Sequence, residues 1–358
     1  MCCEIKISKD NQNRSLGDLK VKICLVGTIS PPDEARKVIA YNLLPILARD
    51  CNVMFFDLTR LLSRDEWAKI KAFNPDVIHS ITTASPFSFL LMRMLQRSCK
   101  NSKTIILSPL IPFRGFSHGL WFAASSLLEP AVPFIKTDLV LTQSSEAEAT
   151  YRRLGCNILP FVYSGVDLKR FSPVSKAEKE ELRTRYNVES DKFVVLHVGS
   201  VRKWRNVECL KKIQDDNENQ VLLVGRSSTK YELQVAAVLK RAGVVVIKDF
   251  NPNVEDFYRL SDCYVFPTTD PAGSIDIPLS VLEAMASGLP VVSTRFGGLP
   301  LIFDEADGFY YAEVEEFPSK IKVLKSQAAA VRTRELVLPY SWENIAQNLL
   351  KVYVQMLR

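Results

Sequence analysis

Ser274-Ile-Asp-Ile-Pro-Leu-Ser-Val-Leu-Glu-Ala-Met-Ala-Ser-Gly-Leu-Pro-Val-Val-Ser-Thr294 sets a single carboxylate of its helix, Glu283, inside a run of apolar and small residues. The run reads as a buried helix that stops at Gly288, a residue suited to the position just past a helix end, with Pro290 where a helix cannot continue. Pro290-Val-Val-Ser-Thr294 then reads as a short inner strand, and Gly297-Gly298 opens the next turn. A carboxylate on a core-facing helix must be paired, hydrogen-bonded or turned toward a ligand, because an unpartnered buried charge is costly. A ligand hydroxyl would satisfy Glu283, and so would a structural partner.

Outward from this stretch the pattern repeats. Apolar strands at about 21–27, 52–57, 75–79, 103–108 and 137–142 alternate with helical segments such as 34–49, which indicates βαβ units and a parallel sheet. A second series runs through 193–199, 221–225, 244–247, 263–266 and 290–293, after a charged helix at about 175–186. In such sheets ligands sit beyond the carboxyl ends of the strands, where Gly27, Gly199, Gly225 and Lys248 all fall.

The Glu283 segment resembles the nucleotide-sugar site of family-4 glycosyltransferases, retaining enzymes of GT-B architecture with two facing Rossmann-like domains. Leu260-Ser-Asp-Cys-Tyr-Val-Phe-Pro267 and Tyr340-Ser-Trp-Glu-Asn-Ile-Ala346 are similar to the same family, and the resemblance spans roughly residues 21 to 358. It implies an α/β fold with parallel sheets and a C-terminal helix crossing back to the first domain. The expected division is a disordered tail over 1–20, an acceptor-side domain over 21–172, a nucleotide-sugar-binding domain over 173–340 and the returning helix over 341–358. It implies Glu283 as the residue that holds the donor ribose, with the Gly297-Gly298 loop behind it.

Sugar transfer needs a grip on the nucleotide, positive potential on the departing diphosphate and support for an oxocarbenium-like sugar. Cations and helix N-termini supply the potential where no metal is used. Gly199-Ser-Val-Arg-Lys-Trp-Arg-Asn206 puts three cations within four residues at a strand's carboxyl end. Against the family pattern Ser200 stands at the usual Arg and Arg205 at the usual Lys, and Arg202 or Lys203 is left to replace the missing cation. Arg205 and then Lys203 are the leading diphosphate ligands, with exposed loop charges as the alternative. Gly225 and the Lys248-Asp249-Phe250 segment resemble the family's nucleotide and base contacts, and Gly27 its first glycine loop.

The sugar site departs from the family. The usual second acid is Ile275, leaving Asp276, Asp270 or backbone amides of Gly273 and Ser274 to serve; the usual acid after the glycine pair is Leu301. A common second histidine is replaced by Ile81 in His79-Ser-Ile81, and His118 is the candidate from another loop. The catalytic candidates are therefore Arg205, Lys203, Asp276 and His118.

Composition limits the alternatives. The chain has 358 residues, 47% of them hydrophobic, and three histidines with no metal-spaced cluster of ligands, so no metal and no cofactor beyond the donor are expected. Residues 1–170 carry 22 Lys and Arg against 15 Asp and Glu, the rest 24 against 25, so the whole excess of +6 lies in the first half. That half suits a sugar or lipid-linked acceptor and peripheral contact with an anionic membrane surface, with a plain solvated surface as the alternative. Nucleic acid is a poor partner because no Lys/Arg run is interleaved with aromatics. The eight cysteines are scattered and the start lacks a signal peptide's apolar core, so a cytoplasmic setting is expected, peripheral to the membrane's cytoplasmic face. A nucleotide-binding partner subunit without catalysis is the second reading, and a nucleotide-sugar epimerase a more remote one.

Overall fold

Val-Ile-His-Ser-Ile-Thr and Asn-Gln-Val-Leu-Leu-Val are strands buried at every position, as the inner strands of a sheet covered on both faces must be. They belong to two six-stranded parallel sheets in a computed structural model that describes residues 21–28, 35–82, 85–99, 104–109, 129–225, 232–248, 252–306, 308–326 and 331–358.

The first sheet contains β1 (Lys22–Gly27), β2 (Asn52–Asp57), β3 (Val77–Thr82), β4 (Thr104–Pro109), β5 (Leu139–Thr142) and β6 (Ile158–Pro160), in the order β2-β1-β3-β4-β5-β6. The second contains β7 (Phe193–Val198), β8 (Asn219–Val224), β9 (Val245–Ile247), β10 (Cys263–Phe266), β11 (Val291–Ser293) and β12 (Phe309–Tyr311), in the order β12-β11-β10-β7-β8-β9. Both orders reverse direction at one point: between β1 and β3 in the first sheet, and between β7 and β10 in the second. Beyond the carboxyl ends of strands at such a point, diverging connections leave a crevice.

The two-sheet architecture agrees with the sequence reading, with local corrections. The third strand begins at Val77 and runs to Thr82, so His79 lies mid-strand rather than at its end. His79 is fully buried, with Nδ1 2.6 Å from the Tyr353 hydroxyl and Nε2 2.7 Å from Ser108 Oγ, and burial lowers its pKa to about 3. It is a neutral strut of the core. The three-residue edge strands β6 and β12 were not expected from the sequence.

The helix Trp342–Leu357 returns to the first sheet, as the fold class predicts. Ser341 caps it by accepting from the Asn344 amide, and Val166 pairs with Ser341 as the chain comes back. Gly165 makes the return possible, because a Cβ there would stand 2.6 Å from the Trp342 ring. Trp342, Ile345, Leu349 and Tyr353 then join the apolar cluster of β1 and the helix Ala35–Asp50. Ile81, Ile275 and Leu279 are in that cluster too, so residues of the second half complete the core of the first. Among the described residues no helix is long and apolar enough to cross a membrane.

Candidate functional site

Glu283 sits on the helix Leu279–Ala286, every residue of which is buried. The residue is 6% exposed, and Oε2 accepts a 2.7 Å hydrogen bond from the Tyr258 hydroxyl. Tyr258 comes from the helix Val254–Leu260, and nothing in the local sequence marked it as a partner. Glu283 also forms part of the wall of a cavity of about 240 Å³ between the two halves. The carboxyl ends of β7 and β8 contribute Val198, Val224 and Gly225, while Tyr41 and Asn42 face it from the helix Ala35–Asp50 of the first half. Arg170 completes the wall, held by Glu255 Oε2 at 2.7 Å and the Pro252 carbonyl at 2.6 Å. Pro252 and Val254 add an apolar flank, so the cavity combines one buried acid, one anchored cation and flat apolar surface. Such a combination suits a hydroxylated, ring-bearing ligand.

Gly225 is fixed by its amide donating to the Ile247 carbonyl at 2.8 Å, and a Cβ there would stand 3.2 Å from that same oxygen. Lys248 is exposed just beyond β9. Gly27 ends β1 and does not line this cavity, and a Cβ on it would make only ordinary contacts. His118 and Phe250 lie outside the described residues.

The cationic loop follows β7. Ser200 is buried, Arg202 stacks over the Trp204 ring at 5.3 Å, and Lys203 is exposed with its amide donating to Glu232. Arg205, half-buried, closes the turn Lys203–Arg205 and donates from Nε to the Gly273 carbonyl at 2.7 Å. It is the cation of the three that turns inward to the crevice between β7 and β10. A Cβ on Gly199 would overlap its guanidinium, so this placement depends on the glycine.

Asp276, Gly297 and Gly298 take part in contacts between the two halves. Ser144 Oγ of the first half donates to Asp276 Oδ2 at 2.9 Å, and the same serine caps the helix Ser145–Arg153 by accepting from the Ala147 amide. Burial, with Glu146 nearby, pushes the Asp276 carboxyl up to about 7 despite that hydrogen bond. Gly297, at φ +53°, lies so close under Asp276 that a Cβ would overlap its backbone, and the Gly298 amide donates to the Asp276 carbonyl at 2.8 Å. A Cβ on Gly298 would also overlap the Gln143 carbonyl. Gln143 Oε1 in turn accepts from the amides of Tyr163 and Ser164. The three residues form a clasp between the halves, and the sequence did not reveal it because Ser144 and Asp276 are 132 residues apart.

Among the described residues no group of three or more His, Cys, Asp or Glu could hold a metal ion. The six described cysteines are unpaired.

Comparison with known proteins agrees with the fold. The sulfoquinovosyl transferase SQD2 of Arabidopsis thaliana is 28% identical over 293 residues, 75% of this chain and 53% of its own length. Spore coat protein SA of Bacillus subtilis is 24% identical over 222 residues, 54% of this chain and 57% of its own. The chain thus spans about half the length of the curated relatives it matches. Among solved structures, sucrose-phosphate synthase from Thermosynechococcus elongatus superposes with a TM-score of 0.71 at 18% identity, covering 94% of this chain and 99% of that one. Anabaena HepE in complex with UDP and glucose gives a TM-score of 0.72 at 14% identity, covering 94% and 100%. The family described as glycosyl transferases group 1 matches residues 192–327, the stretch that carries β7 to β12, Arg205 and Glu283. Residues 192–327 are a glycosyl transferases group 1 domain, set in a chain of GT-B architecture.

Proposed function

We propose that this chain transfers a sugar from a nucleotide-sugar donor to a sugar or lipid-linked acceptor, with retention of anomeric configuration and without a bound metal. The observation that carries the reading is Glu283: a buried carboxylate on the wall of a cavity between the halves, at the carboxyl ends of β7 and β8. In this reading it accepts the ribose hydroxyls, the apolar flank by Pro252 and Val254 lies against the base, and Arg205 meets the diphosphate. Positive charge at that point stabilises the departing diphosphate as its bond to the sugar breaks. The basic first half would receive the acceptor, including one presented at an anionic membrane surface. The relatives support the class: SQD2 and HepE are, by name and bound ligand, proteins of nucleotide-sugar or sugar-transfer chemistry.

A second reading has its own observation. Ile81 and Ile275 are apolar side chains buried in one apolar cluster, and Asp276 is engaged by Ser144, so these positions offer no free polar group to a reacting sugar. That favours a nucleotide-binding partner subunit with little or no turnover.

Thermal stabilisation by UDP, GDP, ADP and their sugar conjugates tests the shared part. A ligand at ~100 times its dissociation constant stabilises by about 2.7 kcal/mol. The expected result is a shift with one base, and no shift with any of them refutes both readings. Release of free sugar from the conjugate that binds, with or without acceptor, then separates transferase from partner subunit.

A further inference from the structure

His197 is a buried imidazole that the proposed chemistry does not yet use. It lies on β7 two residues before Gly199, with no exposure to solvent. Its Nδ1 is 2.9 Å from the Val265 carbonyl on β10, across the point where the second sheet reverses direction. A carbonyl can only accept, so Nδ1 carries the proton and Nε2 presents a lone pair. Nε2 makes no hydrogen bond among the described residues. The ring cannot swing to find one, because it lies nearly parallel to Tyr264 (centroids 6.3 Å, 19°) and tilted against Phe266 (6.5 Å, 37°).

The bare nitrogen and Arg205 both border the space at Gly199, with no hydrogen bond between Nε2 and Nη1. A Cβ on Gly199 would overlap Arg205 Nη1 and stand 3.2 Å from His197 Nε2, so guanidinium and imidazole share the space that the glycine leaves. The other side of the guanidinium is tethered by the Gly273 carbonyl. Below the turn, Asn206 is fastened to the Pro267 carbonyl at 2.9 Å and Thr269 Oγ1 at 2.8 Å. Burial first, and the adjacent Arg205 charge second, lower the His197 pKa to about 3. The imidazole therefore adds no charge in neutral solution. A carboxylate in its place would tie the cation into a salt bridge, whereas a neutral imidazole beside it leaves its charge for an incoming anion.

We propose that His197 is the positioning residue for Arg205: its unfilled Nε2 lone pair, held beside the guanidinium, is the acceptor that the guanidinium takes up when the donor's diphosphate binds. The proposal rests on the nucleotide-sugar reading of the same site. It accounts together for the fixed tautomer, the glycine at 199 and the inward turn of Arg205.

The test compares His197→Phe, which keeps a ring of similar size and removes both nitrogens, with the wild-type chain. Calorimetric dissociation constants are measured for whichever of UDP, GDP and ADP stabilises the wild type most, and for the matching nucleoside. Loss of a well-placed cation from a diphosphate is expected to weaken that ligand about 10-fold or more, with the nucleoside unchanged. His197→Gln, which can again present an acceptor oxygen, should recover part of the loss. Equal affinity of His197→Phe and wild type for the diphosphate overturns the proposal. So does an equal loss for diphosphate and nucleoside, which would mark a merely structural ring. If His197→Phe does not fold, His197→Met, whose flexible side chain fills irregular space, carries the same comparison. A wild-type chain that binds none of the diphosphates removes the functional reading itself, and this proposal with it.

Discussion

Replacing Asp276 by asparagine should change how stability depends on pH. The carboxyl is buried, its hydrogen-bond donor is the neutral Ser144 hydroxyl, and the nearest charged group acting on it is another acid, Glu146. Its pKa therefore rises from 3.8 to about 7. Below pH ~4 the group is protonated in both folded and unfolded chains and costs nothing. Between pH ~4 and ~7 the unfolded chain releases its proton while the folded chain keeps it, so stability falls as pH rises; above ~7 the penalty is complete. A shift of about three pH units corresponds to an upper bound of ~4 kcal/mol. Asparagine keeps an oxygen for Ser144 but adds two amide donors, an offset of about 1 kcal/mol. For 358 residues unfolding as one unit, the remaining ~3 kcal/mol raises the melting temperature by about 4 °C. Melting curves of wild type and Asp276→Asn between pH 4 and 8 measure it. The expected outcome is near coincidence at pH 4 and a more stable variant at pH 8. Two profiles separated by a constant offset across that range would refute the reasoning.

Glu283→Gln keeps an acceptor for the Tyr258 hydroxyl while removing the charge; melting should change little and nucleotide affinity, by calorimetry, should fall by about 10-fold or more. The opposite pattern, lower melting with intact affinity, would make the carboxylate structural. Gly298→Ala drives a methyl into the Gln143 carbonyl of the first half, and overpacking of this kind costs ~1–3 kcal/mol. Denaturant unfolding should show that loss, and an unchanged midpoint would mean the halves do not approach as closely as the clasp requires.

Much of the fold was legible because inner parallel strands are continuous apolar runs: β7, β8 and β10 are all readable from sequence alone. Short edge strands carry no such signal, since three residues such as Ile158–Pro160 are partly exposed and defined by their neighbour rather than by their own pattern. Of the site, Glu283 and Arg205 could be singled out because charge in an apolar run or beside a strand end is locally anomalous. Tyr258, Tyr41 and Asn42 could not, since each is an ordinary helical residue until folding brings it to the cavity. Asp276 illustrates the limit: sequence placed a carboxylate near the expected sugar, and only the three-dimensional structure shows its oxygen turned to Ser144.

The returning helix has a consequence for synthesis. Tyr353 supplies one of the two hydrogen-bond partners of His79, and Trp342 to Tyr353 fill the core beneath β1. A ribosome that has released everything up to β6 has therefore released a sheet whose underside is still bare, and must translate the entire second sheet before the missing helix emerges. Domains made in order normally fold in order. Here the earlier-made half is finished last, exposing apolar surface for the time needed to translate nearly two hundred residues, about 10–40 s at ~5–20 residues per second. That interval is when the nascent chain most needs a chaperone.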